Sequence, residues 1–280
     1  MNFAPAYHRY HKDCRKFIRT ISLVFVSIFF LQLSLGQSPY RTRWDKEMLY
    51  TGTGIVTFGT GAYLRNKITL FTPEELEHLD QFFVNPTDRQ ATQMLSGHSD
   101  RASDYFMNSA QALPLLFLAG KDTRHHFGQI ALMYGETMLI TTGLTSITKY
   151  AVHRPRPFVY NEDASLSSIQ TINAQSSFVS GHTSMTAAAT FFAAKVYSDF
   201  YPDSEWRPIV WTAAAIVPAV TGYLRIRAGK HYPTDVIGGY ALGAAVGILV
   251  PHLHRTRDNK KRDFSLTAIP NGFYLTMDFW

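Results

Sequence analysis

Long apolar segments, separated by short polar or proline-containing breaks, fill the chain from about residue 100 onward. Several of these segments are apolar around nearly the whole helix circumference, which is typical of a bundle core or of a membrane-embedded helix. Polar residues interrupt each of them before about 20 consecutive apolar residues are reached. The predicted fold class is therefore all-α, a helical bundle. We place its helices at about 101–120, 126–151, 183–199, 207–227 and 234–253.

Weaker patterns flank these helices. Residues 40–64 predict a helix despite four glycines, which we interpret as sites of close helix packing rather than as a nucleotide-binding loop. Thr72 is followed by Pro-Glu-Glu, a typical helix start with a capping hydroxyl. Near the C-terminus, Asn271-Gly272 lies between two short apolar runs. This pattern predicts a short β-hairpin, which we expect to dock on the helical bundle.

The first 36 residues have the layout of a secretory signal peptide. Five basic residues precede an apolar run at 21–36, and Ser34 and Gly36 supply small residues before a cut at Gln37. The alternative is an uncleaved membrane anchor. The predicted domains are a signal peptide at 1–36, an N-terminal helical extension at 37–100, a helical core at 101–256, and a linker with the hairpin at 257–280.

Cleavage of this leader would change the charge and the thiol content of the chain. It would remove Cys14, the single cysteine, and would lower the formal charge from +6 to +2. The sequence pI of 9.3 is therefore weak support for a nucleic-acid or anionic-membrane partner. We expect an exported, periplasmic protein that binds no nucleic acid and has no cysteine-based metal site or nucleophile.

Three polar clusters occur where the predicted helices end or begin. Lys149–Pro157 follows the second helix, Ser180–His182 precedes the third, and Arg225–Asp235 joins the fourth to the fifth. In an antiparallel bundle these positions fall at the same end. We therefore predict that the three clusters converge.

The converging side chains suit a phosphate group. Arg156 and Arg225 offer planar pairs of donors, and Lys149 adds a compact positive charge. Ser180 and Gly181 lie where a helix N-terminus presents unpaired backbone N–H groups. These five residues are the predicted phosphate-binding set.

Two histidines supply the predicted chemistry. His231 and Asp235 are four residues apart, so on a helix the carboxylate can orient the imidazole of a histidine nucleophile. His182 would protonate the leaving group from the opposite side. Neither a metal nor another cofactor is expected, because the cationic side chains supply the electrostatic stabilisation.

These motifs resemble those of the type 2 phosphatidic acid phosphatase/vanadium haloperoxidase superfamily over roughly residues 100–255. Lys149 with Arg156-Pro157 corresponds to K-x6-R-P, and Ser180-Gly181-His182 corresponds to P-S-G-H. Arg225, His231 and Asp235 correspond to S-R-x5-H-x3-D. Val179 and Leu224 depart from the usual Pro and Ser, which leaves substrate and rate less defined than reaction type.

The resemblance implies the helical bundle of that superfamily, a phosphohistidine at His231 and an acid at His182. The expected activity is a metal-independent phosphatase that acts on phosphomonoester or pyrophosphate groups, mainly of lipids, at a membrane surface. A nonspecific periplasmic acid phosphatase is the first alternative. A vanadate-dependent haloperoxidase and a non-catalytic anion-binding scaffold are the others.

Membrane topology stays open at this point. A cleaved leader followed by spans at 48–64, 109–120 and 131–148 would place Lys149 in the cytoplasm, whereas the resemblance implies an outward-facing motif. Either the helices do not span, or one of the three is not a span, or the leader remains. The mean hydropathy of −0.09 favours a periplasmic or peripheral bundle. An integral protein with a periplasm-facing site is the alternative.

The remaining polar residues have simpler interpretations. We interpret Ser96-Gly97-His98, the second Ser-Gly-His of the chain, as a loop, and Arg154 as a residue that shapes the mouth of the site. Arg227 and Lys230 are expected to face solvent. The histidine pairs 125–126 and 252/254 are expected to be surface or helix-end residues rather than metal ligands.

Overall fold

The computed structural model describes residues 38–256 and the backbone of two strands at 264–269 and 272–277. The predicted signal peptide and most of the basic linker lie outside the described residues. The α-helices are α1 (Trp44–Arg65), α2 (Pro73–Glu77), α3 (Pro86–Arg89), α4 (Gly97–Gln111), α5 (Lys121–His125), α6 (Phe127–Val152), α7 (Leu166–Ile169), α8 (Gly181–Phe200), α9 (Arg207–Arg227) and α10 (Pro233–His254). Short 3₁₀ turns occupy Gln81–Phe83, Gln90–Gln93, Leu113–Leu118, Pro157–Tyr160 and Ile172–Gln175.

Helix α8 lies at the centre of the bundle. It packs against α4, α6, α9 and α10, while α1 packs along α6. Its middle is rich in alanine, and Ala187, Ala188 and Ala189 are fully buried. Small side chains let the neighbouring helices approach on all sides, which makes the predicted all-α bundle compact around this helix.

Close contact between α8 and α10 depends on glycine. A Cβ atom at Gly243 would lie 2.0 Å from the carbonyl oxygen of Ser184, and one at Gly239 would lie 2.5 Å from that of Ser180. Larger residues at these positions would force the two backbones apart. The glycines therefore fix the distance between the beginning of α10 and the beginning of α8.

Two of the four glycines of α1 lie at close helix contacts, as predicted, and two do not. A Cβ at Gly54 would meet the side chain of Leu139 at 2.7 Å, and one at Gly61 would meet Ser146 at 2.5 Å. Nothing lies within 4 Å of the corresponding positions at Gly52 and Gly59. Only the two glycines that face α6 mark close helix packing.

The predicted helix at 101–120 is wrong at both ends. Helix α4 begins at Gly97, because the hydroxyl of Ser96 caps it by accepting a hydrogen bond from the Ser99 N–H at 3.3 Å. It ends at Gln111, and Pro114 lies in the 3₁₀ turn that follows. The interpretation of Ser96-Gly97-His98 as a loop is therefore also wrong.

Other helix boundaries agree closely with the sequence. Thr72 supplies the predicted capping hydroxyl and forms a capping box with Glu75. Helix α6 ends at Val152, where His153 adopts a left-handed conformation with φ 53°. Pro155 follows two residues later, as expected for a sharp helix end. Helix α10 begins with Pro233 in its first turn.

Beyond the bundle, strands β1 (Phe264–Ile269) and β2 (Gly272–Met277) pair antiparallel as a two-stranded sheet of their own. The register runs from Phe264 opposite Met277 to Ile269 opposite Gly272. The docking of this segment on the bundle stays a prediction.

Two of the described helices are long and apolar enough to cross a membrane. They are α9 and α10, whose most apolar windows have a mean hydropathy of 1.5 and 1.7. Only 28% of each window is buried inside the protein, so much of their apolar surface faces outward. Ile209, Ile237 and Leu249 are among the exposed side chains.

Both histidines of the 252/254 pair lie in the last turn of α10, as predicted, but they differ in burial. His252 is exposed, but His254 is 2% exposed and contacts Glu47 and Glu136. The sequence could not show this, because Glu47 lies 207 residues away along the chain. His125 is exposed as expected, and His126 is half-buried before the start of α6.

Candidate active site

The three polar clusters meet at one end of the bundle. The ammonium of Lys149 donates to the carbonyl of Ser176 at 2.9 Å, just before α8. The Ser180 N–H donates to the carbonyl of Asp235 at 2.9 Å, which joins the beginnings of α8 and α10. The structure thereby brings together all the predicted site residues, namely Lys149, Arg156, Ser180, Gly181, His182, Arg225, His231 and Asp235.

Arg156 is held rigidly beneath the site. Its guanidinium donates to the carbonyl and the side-chain oxygen of Asn173, each at 2.7 Å, and to the carbonyl of Lys230 at 3.3 Å. The side chain is 5% exposed, and burial followed by the nearby charge of Arg225 lowers its pKa. Three hydrogen bonds to oxygen acceptors hold this cation in place.

Arg225 faces the site from the last turn of α9. It donates to Asp100 at 2.5 Å and to the hydroxyl of Ser103 at 3.2 Å, both on α4. Its Nε is buried and donates no hydrogen bond within the described residues. Arg225 therefore retains a donor for a further oxygen atom.

His231 is buried among cations. It is 1% exposed, and burial, followed by the charges of Arg156 and Lys149, holds its pKa well below the ordinary histidine value. Its imidazole is therefore neutral at physiological pH, which is the form that can act as a nucleophile.

The predicted His231–Asp235 pair is looser than a hydrogen bond. Nδ1 of His231 lies 3.5 Å from Oδ2 of Asp235 and has no hydrogen-bond partner within the described residues. Asp235 instead accepts hydrogen bonds from the Ser177 hydroxyl at 2.5 Å, the Tyr232 N–H at 2.9 Å and Arg154 at 2.6 Å. The carboxylate is fixed, and it lies on the Nδ1 side of the imidazole.

His182 lies in the first turn of α8 and contacts an acid. Its Nε2 is 2.6 Å from Oδ1 of Asp104 on α4. Burial and the charge of Arg225 lower its pKa to about 4, although Asp104 opposes this shift. In the free protein at neutral pH, His182 therefore carries no charge.

The hydroxyl of Ser180 is committed to the helix start. It caps α8 by accepting from the Thr183 N–H at 3.4 Å, and it also contacts the Thr183 hydroxyl at 2.8 Å. A Cβ added at Gly181 would lie 3.5 Å from Cε of Lys149. The beginning of α8 therefore faces the lysine, and its binding of phosphate stays a prediction.

The segment that carries these residues also resembles a known protein family. Residues 130–259 match the sequence model of the PAP2 superfamily. Over this segment the chain is similar to the PAP2 superfamily. The matched segment, hereafter the PAP2 domain, contains every predicted site residue.

Two relatives share parts of the chain. The lipid A 4'-phosphatase of Porphyromonas gingivalis is 31% identical over 98 residues, which are 35% of this chain and 38% of that protein. The undecaprenyl-diphosphatase of Sulfolobus acidocaldarius is 26% identical over 167 residues, 59% of this chain and 71% of that protein. This chain thus spans well under two thirds of the first relative.

A solved structure also matches. A transmembrane PAP2-type phosphatidylglycerolphosphate phosphatase from Bacillus subtilis aligns with a TM-score of 0.44 and 20% identity, covering 76% of this chain and 99% of that one.

Several residues near the PAP2 site were missed by the sequence analysis. Asp100 and Asp104 of α4 contact Arg225 and His182, and both precede the PAP2 domain. Their spacing of four residues on one helix face was a usable signal. Their partners, 125 and 78 residues away, were not visible from the sequence.

Arg154 was predicted to shape the mouth of the site, and in the structure it also links two buried carboxylates. Its guanidinium joins Asp88 at 2.7 Å to Asp235 at 2.6 Å and lies 3.9 Å above the ring of Tyr232. Asp88 is 1% exposed and also accepts from the backbone and hydroxyl of Thr234. Arg154 therefore fixes the carboxylate that lies beside His231.

The two cations that flank His231 in the sequence, Arg227 and Lys230, differ in exposure. Arg227 is exposed, as predicted, but Lys230 is half-buried, which corrects the prediction that it faces solvent. Its ammonium lies 4.9 Å above the ring of Phe158 and 3.7 Å from Asp100. The turn that carries Lys230 points the side chain along the protein surface toward α4.

Proposed function

We propose that the protein is an exported, metal-independent phosphatase that hydrolyses phosphomonoester or pyrophosphate groups of lipids through a phosphohistidine at His231. One observation carries the proposal: a buried, neutral imidazole is surrounded by Lys149, Arg156 and Arg225 beside the N-terminus of α8. In such a site the neutral imidazole can act as the nucleophile. The cations around it stabilise the negative charge on the phosphorus centre that it attacks.

The first step forms a bond from Nε2 of His231 to phosphorus and breaks the bond to the leaving oxygen. Asp235 lies on the Nδ1 side, 3.5 Å away, so Nε2 is the nitrogen free to attack. The leaving oxygen takes the proton of His182. A bound phosphate dianion near His182 favours its protonated form, which supplies this acid.

The second step frees His231, and the proton gained by His182 leaves when phosphate is released. Water attacks the phosphohistidine, its proton passes to His182, and the phosphorus–nitrogen bond breaks to release inorganic phosphate. The three cations and the N–H groups at the beginning of α8 stabilise the charge that develops on the phosphoryl oxygens in both steps.

Two observations support lipid substrates. The two relatives are named for phosphatase activity on lipid A and on undecaprenyl diphosphate. In addition, α9 and α10 expose apolar side chains over most of their length. We infer that these helices associate with a membrane, so that the site receives phosphate groups from its surface.

An apolar cavity supports the same inference. It has a volume of about 530 Å³ and lies between α8, α9 and the 3₁₀ turn at Leu113–Leu118. Its lining includes Phe117, Ala194 and Val217, with few polar atoms. Among the α8 residues that line the cavity, Thr190 is nearest to the site. It is ten positions from Ser180, or about 15 Å along the helix, a distance that an acyl or prenyl chain can span.

The proposal is tested by phosphate release from the full chain, purified in detergent with EDTA present. A lipid phosphate in mixed micelles is compared with a soluble aryl phosphate. We expect faster turnover of the lipid, and a loss of about 10³-fold or more in His231→Ala. His125→Ala, at an exposed histidine outside the site, is the matched control and should keep its turnover.

Each outcome of this experiment bears on a separate part of the proposal. Faster release from the aryl phosphate would identify a nonspecific acid phosphatase and overturn the lipid assignment. Full activity in His231→Ala would overturn the phosphohistidine mechanism. With no release from either substrate the phosphatase proposal fails, and bromide oxidation after addition of vanadate would then test the haloperoxidase alternative.

A further inference from the structure

A second polar cluster is buried at the opposite end of the bundle. It consists of Glu47 in the first turn of α1, Glu136 in the middle of α6 and His254 at the end of α10. The three residues are 7%, 3% and 2% exposed, respectively. Asp235 and His254 are 19 positions apart on α10, so the cluster lies about 28 Å from the phosphate site.

Hydrogen bonds hold the outer atom of each side chain. Nδ1 of His254 lies 2.8 Å from the carbonyl of Val250, and a carbonyl only accepts, so Nδ1 carries a hydrogen. The Thr51 hydroxyl donates to Oε1 of Glu136 at 2.9 Å, and the Arg43 N–H donates to Oε1 of Glu47 at 3.2 Å. This support of the outer atoms is typical of the shell around metal ligands.

The inner atoms face a common point. Nε2 of His254 lies 3.1 Å from Oε2 of Glu47 and 3.3 Å from Oε2 of Glu136, and all three ligand atoms are within 4.8 Å of one another. Ligands about 2.0–2.1 Å from a tetrahedral ion are separated by about 3.3 Å. A direct charge-assisted hydrogen bond is shorter, at about 2.7–2.9 Å.

Charge also favours a cation between these atoms. When both carboxylates are ionised, they carry two negative charges in a buried space. A proton on Nε2 would offset one of them, and this single hydrogen cannot serve both carboxylates. Oε2 of Glu136 in fact accepts no hydrogen bond from the described residues. An unpaired buried carboxylate is costly, and a divalent ion would neutralise both charges.

We propose that Glu47, Glu136 and His254 bind a divalent first-row transition ion of the Zn²⁺ class, which joins α1, α6 and α10. The donor set of two carboxylates and one imidazole suits such ions better than Ca²⁺ or Mg²⁺, which prefer oxygen ligands alone. The distance from His231 gives the ion no part in phosphate transfer. Its effect is to fix α1 on the bundle.

The test measures zinc in the full chain by mass spectrometry after equilibration with Zn²⁺ and removal of the unbound ion. We expect about one zinc per chain in the wild type and a loss of at least tenfold in His254→Ala and in Glu136→Gln. His252→Ala, two positions away on the exposed side of the same turn, should bind as the wild type does. Equal zinc content in all four proteins would overturn the proposal.

Thermal unfolding supplies a second readout. Zinc at about a hundredfold excess over its Kd should raise the Tm of the wild type by roughly 5–10 °C, and EDTA should reverse this shift. Glu136→Gln keeps the size of the side chain and should show no shift. A wild type whose Tm responds to neither zinc nor EDTA would show that the cluster is only a proton-bridged group.

These readouts are independent of phosphatase activity. At a temperature well below either Tm, chelation should remove the ion while phosphate release continues. A protein that binds zinc but releases no phosphate would overturn the proposed function alone. One that releases phosphate but binds no zinc would overturn the metal site alone.

Discussion

Two helices of this protein begin with the same tripeptide, Ser-Gly-His. In both, the serine hydroxyl caps the helix by accepting the N–H three residues later, at 3.3 Å for Ser96 and 3.4 Å for Ser180. Around Ser180 the chain is buried and Lys149 lies close, whereas His98 is exposed and nothing lies within 4 Å of a Cβ placed at Gly97. The tripeptide therefore specifies a helix start, and burial and the neighbouring lysine distinguish the second copy from the first.

The two helices also complement each other. Helix α4, which begins with the first tripeptide, places Asp100 against Arg225 and Asp104 against His182 of the second site. The helix that begins with the exposed tripeptide thus supplies acidic side chains to the site around the buried tripeptide. The difference between the two copies comes from tertiary contacts, and it can be tested by matched substitutions.

The largest expected effect is on catalysis. In His182→Ala the leaving group loses its proton donor, so kcat for a lipid phosphate should fall by about 10²–10⁴-fold. His98→Ala should leave kcat unchanged, because that side chain contacts only Arg101 among the described polar groups. Steady-state kinetics of the two variants measures this difference. An equal loss of kcat in both would contradict the distinction between the two Ser-Gly-His copies.

A smaller effect is expected from the acid that contacts His182. Asp104 raises the pKa of His182 against the effects of burial and Arg225. In Asp104→Asn that pKa is lower, so the protonated form is lost at lower pH and the alkaline limb of the kcat profile should move toward acid. Asp163→Asn, outside the site, is the control for a surface carboxylate. An unmoved alkaline limb in Asp104→Asn would show that this limb does not report His182.

The smallest effect concerns the caps themselves. Ser96→Ala and Ser180→Ala each remove one capping acceptor and should each lower the free energy of unfolding by about 1 kcal/mol. Urea unfolding of the purified variants measures this change. Phosphate release should fall in Ser180→Ala alone, since only the cap of α8 holds a helix start that faces Lys149. A loss of activity in Ser96→Ala beyond its loss of stability would mean that α4 acts on the site through its position.

The sequence predicted local structure better than long-range contacts. Helix α9 has the predicted bounds, and α10 differs by one residue at each end, because proline and polar breaks mark these ends directly. The convergence of the site residues also followed from the order of the helices. Helix α4 was misplaced, because the Ser96 cap was interpreted as a loop.

Contacts between distant segments could not be predicted. The links from Asp100 to Arg225 and from His254 to Glu47 join residues 125 and 207 positions apart. Nothing in the local pattern around His254 distinguishes it from His252, yet one is buried and the other is exposed. Helix rotation within the bundle decides such differences, and it depends on packing along the whole helix.

Helix α10 sets the distance between the two polar clusters at the ends of the molecule. It carries Asp235 in its first turn and His254 in its last, with Gly239 and Gly243 held against α8 between them. Inserting a single residue in this helix would turn everything beyond it by about 100° and advance it by about 1.5 Å. Substitutions on its outward face should be tolerated, whereas a change in its length would separate the two polar ends from their partners.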